Sequence, residues 1–239
     1  MNALLTQETE RTIPATIARP PSSSRPPGLR MSYEEYLQWT DEDIHSEWVD
    51  GEVIVYMAVK PIHQITLEFL YRLLAAFADY LGLGQVHVAP FEVLLRSGRS
   101  SREPDIFFVA QENLHRITQD RVVGPPDLIV EIVSADSLRR DRYDKFIEYR
   151  QVGVREYWII DPRPGKQRAD FYCLDEQGEY ELFATEENER VESKVVTGFW
   201  LRPEWLWQAN SLNPLVAFYA VLPAEQRQQF EELLRRGPA

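Results

Sequence analysis

Two carboxylates in this chain sit where carboxylates are expensive. Asp105 precedes the run IFFV at 106–109, and Glu131 lies inside LIVEIV at 128–133. Both runs are short, apolar and rich in β-branched or aromatic residues, which is the pattern of buried strands. A charge in such a strand costs about 3 kcal/mol or more unless it finds a partner. Two acids on neighbouring strands therefore call for a cation between them, either a basic side chain or a bound metal. Hard oxygen donors suit Mg²⁺ or Mn²⁺ rather than zinc, and Mg²⁺ keeps most of its waters, so two carboxylates suffice. Such an ion positions a water and stabilises charge on a phosphodiester in flight. Lys145 offers a positive charge beside that water or phosphate. It stands at i+4 from Asp141 and i−4 from Tyr149, on one face of the helix expected at 137–151.

The elements that must position these groups can be read in order. Ser32 followed by Glu35 is a capping box opening a short helix, SYEEYLQW. Asp50-Gly51 joins two alternating runs, at 46–49 and 52–58, into a hairpin. Apolar residues at helical spacing from Ile65 to Leu81 predict a helix over 63–81, ended by Gly82 and Gly84. A strand is expected over 85–95, and RSGRSSR at 96–102 reads as a turn. Asp136 is a candidate N-cap for the helix at 137–151, and Gly153 closes it. Strands follow at 156–160, 168–174, 179–184 and 190–196, and EQRQQFEELLRR forms the last helix. Helices alternating with buried strands indicate an α/β (α+β) chain with a mixed sheet flanked by helices.

The formal charge of −12 is unevenly placed. Between Arg96 and Arg155, eleven Lys and Arg face ten Asp and Glu, a net of +1, so the periphery carries about −13. The single cysteine, Cys173, excludes an internal disulfide and a cysteine-based zinc cluster. No stretch reaches eighteen apolar residues, and the start lacks a signal-peptide core. The expectation is a protein of a reducing cytoplasm with no membrane association. Residues 1–28, rich in Pro, Ser and Arg, are expected to form a disordered arm. A domain is expected over 29–207 and a helical tail over 208–239.

The set EWVDGE, PIH, REPDIFFV, PPDLIVEIVS, D-x-x-x-K-x-x-x-Y and GVREYWIIDP resembles the Uma-two family of restriction-endonuclease-like proteins, over about residues 31–207. Pro104-Asp105 followed by Glu131-x-Val133 is similar to the PD-(D/E)XK nuclease pattern. The resemblance implies a restriction-endonuclease-like core with an N-terminal β-hairpin and a C-terminal strand and helix extension. It also implies a Mg²⁺- or Mn²⁺-dependent endonuclease acting on DNA, with RNA open as a substrate. The superfold usually carries lysine two residues after the glutamate, where this chain has Val133. The resemblance moves that role to the following helix, to Lys145.

From the hairpin, Glu47 and Glu52 each qualify as a further metal ligand, and Glu52 is favoured because it opens a strand directly after the turn. His63, at a helix start, is a candidate for holding phosphate or carrying a proton. Arg139, Arg140 and Arg142 open the helix beside the site and are candidates for phosphate contacts, or else a solvated face. The apolar segments WLW and NPLVAFYAVL suggest a homodimer interface. The competing expectation is a catalytically silent interaction or regulatory module on the same fold.

Overall fold

In the computed structural model the described residues are 28–40, 44–56, 59–134 and 137–237. All of the expected N-terminal arm but Gly28 lies outside them, as do Asp136 and the end of the 52–58 strand. The chain begins with β1 (Leu29–Arg30), α1 (Tyr33–Trp39), β2 (Ser46–Val49), β3 (Glu52–Val55) and α2 (Pro61–Leu81). It continues through β4 (Gly84–Val88), β5 (Val93–Arg96), β6 (Ser100–Arg102), β7 (Ile106–Ala110), β8 (Val122–Val123) and β9 (Leu128–Ile132). A π-helical turn, Arg140–Asp144, leads into α3 (Lys145–Val152) and β10 (Glu156–Asp161). Then come β11 (Arg168–Leu174), β12 (Tyr180–Thr185), β13 (Val191–Glu192), β14 (Trp200–Leu201), α4 (Glu204–Trp207), α5 (Pro214–Val221) and α6 (Ala224–Arg236).

The mixed α/β class expected from the alternation is what forms, but the strands divide into two six-stranded sheets and a two-stranded ribbon. The central sheet has the order β12-β11-β10-β9-β7-β4. Its β9 and β10 run parallel, joined by the crossover through α3, and the remaining pairs are antiparallel. The second sheet has the order β1-β3-β2-β6-β5-β8. The strand expected over 85–95 is two strands belonging to different sheets. Pro90 falls between them and has no N–H to give a ladder. The expected turn at 96–102 ends in a strand, because Ser100 and Ser101 pair with Val49 and Trp48 of the hairpin. Of the expected strand at 190–196, only Val191–Glu192 pairs.

Alternation along the central strands sends side chains to two cores. Ile106, Phe108, Leu128, Val130, Trp158 and Ile160 pack with the apolar stripe of α2. There Leu70, Leu73, Leu74 and Phe77 are fully buried, each contributing about 1.5–3 kcal/mol of transfer free energy. The segment 208–239 supplies Ala217, Phe218, Val221 and Leu222 to the same core, while Leu215, Val216 and Tyr219 stay exposed. Phe107, Val109, Ile129, Val133, Tyr157 and Ile159 face the other way, toward Tyr149 of α3 and Val93, Leu95 and Val122. No helix among the described residues is long and apolar enough to cross a membrane.

Candidate functional site

The two strand acids meet because of register. Ile106 pairs with Val130 across the antiparallel β7–β9 ladder. One residue further along, Asp105 therefore lies opposite Glu131, on the face shared with Phe107 and Ile129. The Asp105 carboxylate accepts the Ile132 N–H through Oδ2 at 2.7 Å, which ties it to β9 beyond the end of the ladder. Around the pair opens a cleft lined also by His45, Tyr56, His63, Glu103, Asp141 and Lys145.

Lys145 comes from the first residue of α3. The π-helical turn before it buries Asp141, and the i, i+4, i+8 face turns inward with Asp141, Lys145 and Tyr149 all buried. The Lys145 Nζ donates to Glu131 Oε1 at 2.8 Å, lies 3.1 Å from Glu47 Oε1 and 3.8 Å from Asp141 Oδ1. The Tyr149 hydroxyl donates to the same Glu131 oxygen at 2.7 Å. Glu131 and Lys145 are only 3 % and 2 % exposed.

The hairpin acid in this cluster is Glu47, and the preference for Glu52 is corrected. Glu47 Oε2 accepts from the Tyr56 hydroxyl and from Arg102 Nη1, the latter at 2.8 Å. Its Oε1 faces Lys145 and accepts the Glu103 N–H at 3.3 Å. Glu52 stands two residues further along the ribbon, opposite Val49, where its side chain lies against Gly28 and does not line the cleft. Arg102 also donates to Glu148 of α3 through Nε at 2.8 Å, so one guanidinium links two strands of the second sheet, β6 and β2, to the helix.

His63, in the first turn of α2, reaches over the strand end and places Nε2 3.3 Å from Asp105 Oδ2. The three arginines part company. Arg142 is drawn to Asp170, and Arg139 is exposed. Arg140 stacks its guanidinium 5.0 Å from the centre of the Tyr56 ring at the cleft wall. Sequence reasoning passed over Arg102, Tyr56, His45 and Glu103. Arg102 and Glu103 stand immediately before Pro104-Asp105, which was the one available signal.

Electrostatics divide the acids. Burial raises Glu47, but Lys145 and Arg102 more than reverse it and hold it at about 2. Burial drives Glu131 up; Lys145 opposes, and the crowding of Asp105, Asp141 and Glu47 adds to it, leaving the group at about 8. Asp141 is raised to about 6, chiefly by burial. Burial would lower the Lys145 amino group, yet Glu131 and Glu47 hold it well above its ordinary value. The cluster therefore has more acid than its basic side chains neutralise.

A small hard cation fits what remains. Among the described residues none hydrogen-bonds Asp105 Oδ1 or Glu131 Oε2, and Asp141 Oδ1 is buried without a hydrogen-bond partner. Also among the described residues, no three His, Cys, Asp or Glu side chains form a ready-made metal cage.

The model of the Uma2 family, described as "Putative restriction endonuclease", matches residues 33–204. The uncharacterized protein sll1609 of Synechocystis sp. (strain ATCC 27184 / PCC 6803 / Kazusa) is 28 % identical over 137 residues, 55 % of this chain and 75 % of that protein. Among solved structures, the crystal structure of "a putative nuclease belonging to DUF820" from Anabaena variabilis ATCC 29413 superposes with a TM-score of 0.62. That likeness, at 17 % identity, covers 75 % of this chain and 98 % of the neighbour, and it concerns the fold.

Proposed function

The chain belongs to the Uma2 family, and from that premise we propose that it is a divalent-metal-dependent endonuclease that hydrolyses DNA phosphodiester bonds. The carrying observation is the convergence of Asp105, Glu131 and Lys145 on one cleft, with one oxygen of each acid left open toward it. Asp105 and Glu131 would hold Mg²⁺ or Mn²⁺. When bound, that ion supplies a Lewis acid and a water of lowered pKa. Glu47 is no ligand, since both its oxygens are already taken by Tyr56, Arg102, Lys145 and the Glu103 N–H.

The protein's own residues do the positioning. Lys145, fixed by three acids, keeps its proton on Nζ and favours the ionised form of Glu131 that a metal needs. The Ile132 N–H and His63 orient Asp105 from two sides. Arg140, unlike Arg139 and Arg142, lies over Tyr56, a residue of the cleft wall, and is the arginine that would meet a phosphate there.

Supercoiled plasmid with Mg²⁺ or Mn²⁺ tests the reading: nicking by the purified protein, lost in Asp105→Ala, is expected. Undiminished nicking by that variant, or none by the unsubstituted protein, removes it. One observation favours a second reading, a silent interaction module. Lys145 is so fully engaged by Glu131, Glu47 and Asp141 that the cluster is nearly self-sufficient. That reading expects no Mn²⁺ binding by calorimetry.

A further inference from the structure

Phosphodiester hydrolysis ends with an alkoxide leaving group, and protonating it as the bond breaks is work for a positioned acid. The cleft has three basic side chains lining it: His45, His63 and Lys145. Lys145 is enclosed by three acids, with its side chain 3 % exposed. His63 is equally enclosed, and its Nε2 is spent on Asp105, a group the metal would need. His45 differs. Its side chain is 39 % exposed, and its Nε2 is 2.9 Å from Glu103 Oε2. Its ring stacks on Tyr56 at 4.8 Å between centroids. Glu103 stands beside Nε2 without a hydrogen bond to it and favours the protonated ring, and among the described residues none bonds Nδ1. The stack on Tyr56 fixes the plane of the imidazole.

We propose that His45 is the general acid of this site: as water oxygen bonds to phosphorus and the P–O3′ bond breaks, the Nδ1 proton passes to the departing O3′. The imidazolium becomes neutral imidazole and regains its proton from solvent through its exposed edge. Glu103 is a positioning residue that acts through His45. The ring's accessibility carries the assignment: the other proton-bearing groups on the cleft wall, Glu131, Asp141, His63 and Lys145, are all buried. The upward push that Glu103 gives the imidazole agrees with it.

This inference rests on the nuclease reading, and a leaving-group comparison separates the two. An oligonucleotide carrying either an ordinary linkage or a 3′-bridging phosphorothiolate at the cut position is given to the protein and to His45→Asn, with the same metal. A thiolate departs without needing a proton. Cleavage of the ordinary linkage by His45→Asn should fall about 100-fold or more in kcat with KM little changed, within the range of a lost general acid. Cleavage of the sulfur linkage should stay within a few-fold of the parent. Glu103→Gln should follow the same pattern more weakly, with an unchanged melting curve for His45→Asn as control. Equal slowing of both linkages, or no slowing of either, overturns the assignment. Failure of the unsubstituted protein to cut either linkage overturns the nuclease reading and takes this one with it.

Discussion

Glu131 and Glu156 are both buried acids in neighbouring parallel strands, and they are satisfied in opposite ways. Glu156 has every oxygen in use. Its Oε1 accepts from Trp158 Nε1 at 2.7 Å, and its Oε2 accepts from the Ser193 hydroxyl and from the backbone N–H groups of Lys194 and Val195, at 2.7–2.9 Å. All four donors are neutral, and they fix the loop after β13 to the central sheet. Glu131 crowds two donors onto Oε1, one of them a cation, and leaves Oε2 toward a cleft that holds a second acid. A closed acid is structure. An open acid with a buried lysine beside it is where a cation, if one binds, would find a free oxygen. Burial alone cannot tell the two apart; the count of unused lone pairs does.

Exchanging each acid for its amide breaks or keeps that distinction. Glu131→Gln should lower DNA cleavage on the order of 10³-fold and abolish Mn²⁺ binding in calorimetry. Glu156→Gln should leave kcat per folded molecule unchanged. It places an N–H₂ among four donors and should cost about 2–3 kcal/mol in urea unfolding. If Glu156→Gln lost activity without losing stability, the contrast would be wrong.

The charges give the next largest difference. Lys145→Met strands three buried acids and should cost about 3–5 kcal/mol in metal-free buffer. Lys194→Met, beside Glu156, removes a charge that lies over the Phe183 ring and pairs with no acid among the described residues. It should change stability by less than about 0.5 kcal/mol. Equal costs would mean that Lys145 is packing rather than charge.

Much of this site was legible in the chain because a charge inside an apolar run is conspicuous. Asp105 and Glu131 were found that way, and the i, i+4, i+8 face led to Lys145. The hairpin acid was not legible, for a geometric reason. In the ribbon Glu47 pairs with Ile54 and Val49 with Glu52, so alternation puts both acids on one side. Only distance along the ribbon separates them, and what brings Arg102 and Glu103 up to Glu47 is β2 pairing with β6 across some fifty residues of sequence. Arg102 was hidden in a segment whose Ser and Gly read as a turn. Glu156 looked like an ordinary strand end, since its partners are backbone N–H groups that no residue type announces.

Acid titration sharpens the contrast within the cluster itself. The folded state holds Glu47 at about 2 against an ordinary 4.5. Its stabilisation is therefore present above about pH 4.5 and lost as pH falls through about 2. At about 1.4 kcal/mol per unit, roughly 3 kcal/mol is at stake. Glu131 runs the other way: raised to about 8, its contribution is full below about pH 4.5 and lost as pH rises through 8. Urea midpoints in chelator across pH 2–5 should fall steeply for the parent and less steeply for Glu47→Gln. Parallel curves would show that Glu47 does not carry the acid limb.

The smallest effect probes the two hydroxyls. Tyr149 is one of two donors on Glu131, and Ser193 is one of four contacts on Glu156. Each hydroxyl should be worth about 1–1.5 kcal/mol to stability, so Tyr149→Phe and Ser193→Ala should unfold at similarly lowered urea concentrations. Their consequences for the cleft should differ. Without the tyrosine, Glu131 Oε1 is held by Lys145 alone, and the carboxylate gains freedom to rotate Oε2 out of line with Asp105. Mn²⁺ affinity should weaken several-fold and cleavage by about 10-fold, the low end of the cost of losing a group that orients a ligand. Ser193→Ala should leave both untouched. Stability falls in both variants, so stability cannot identify the functional acid; only the metal titration separates an acid held for the fold from one held for the ion.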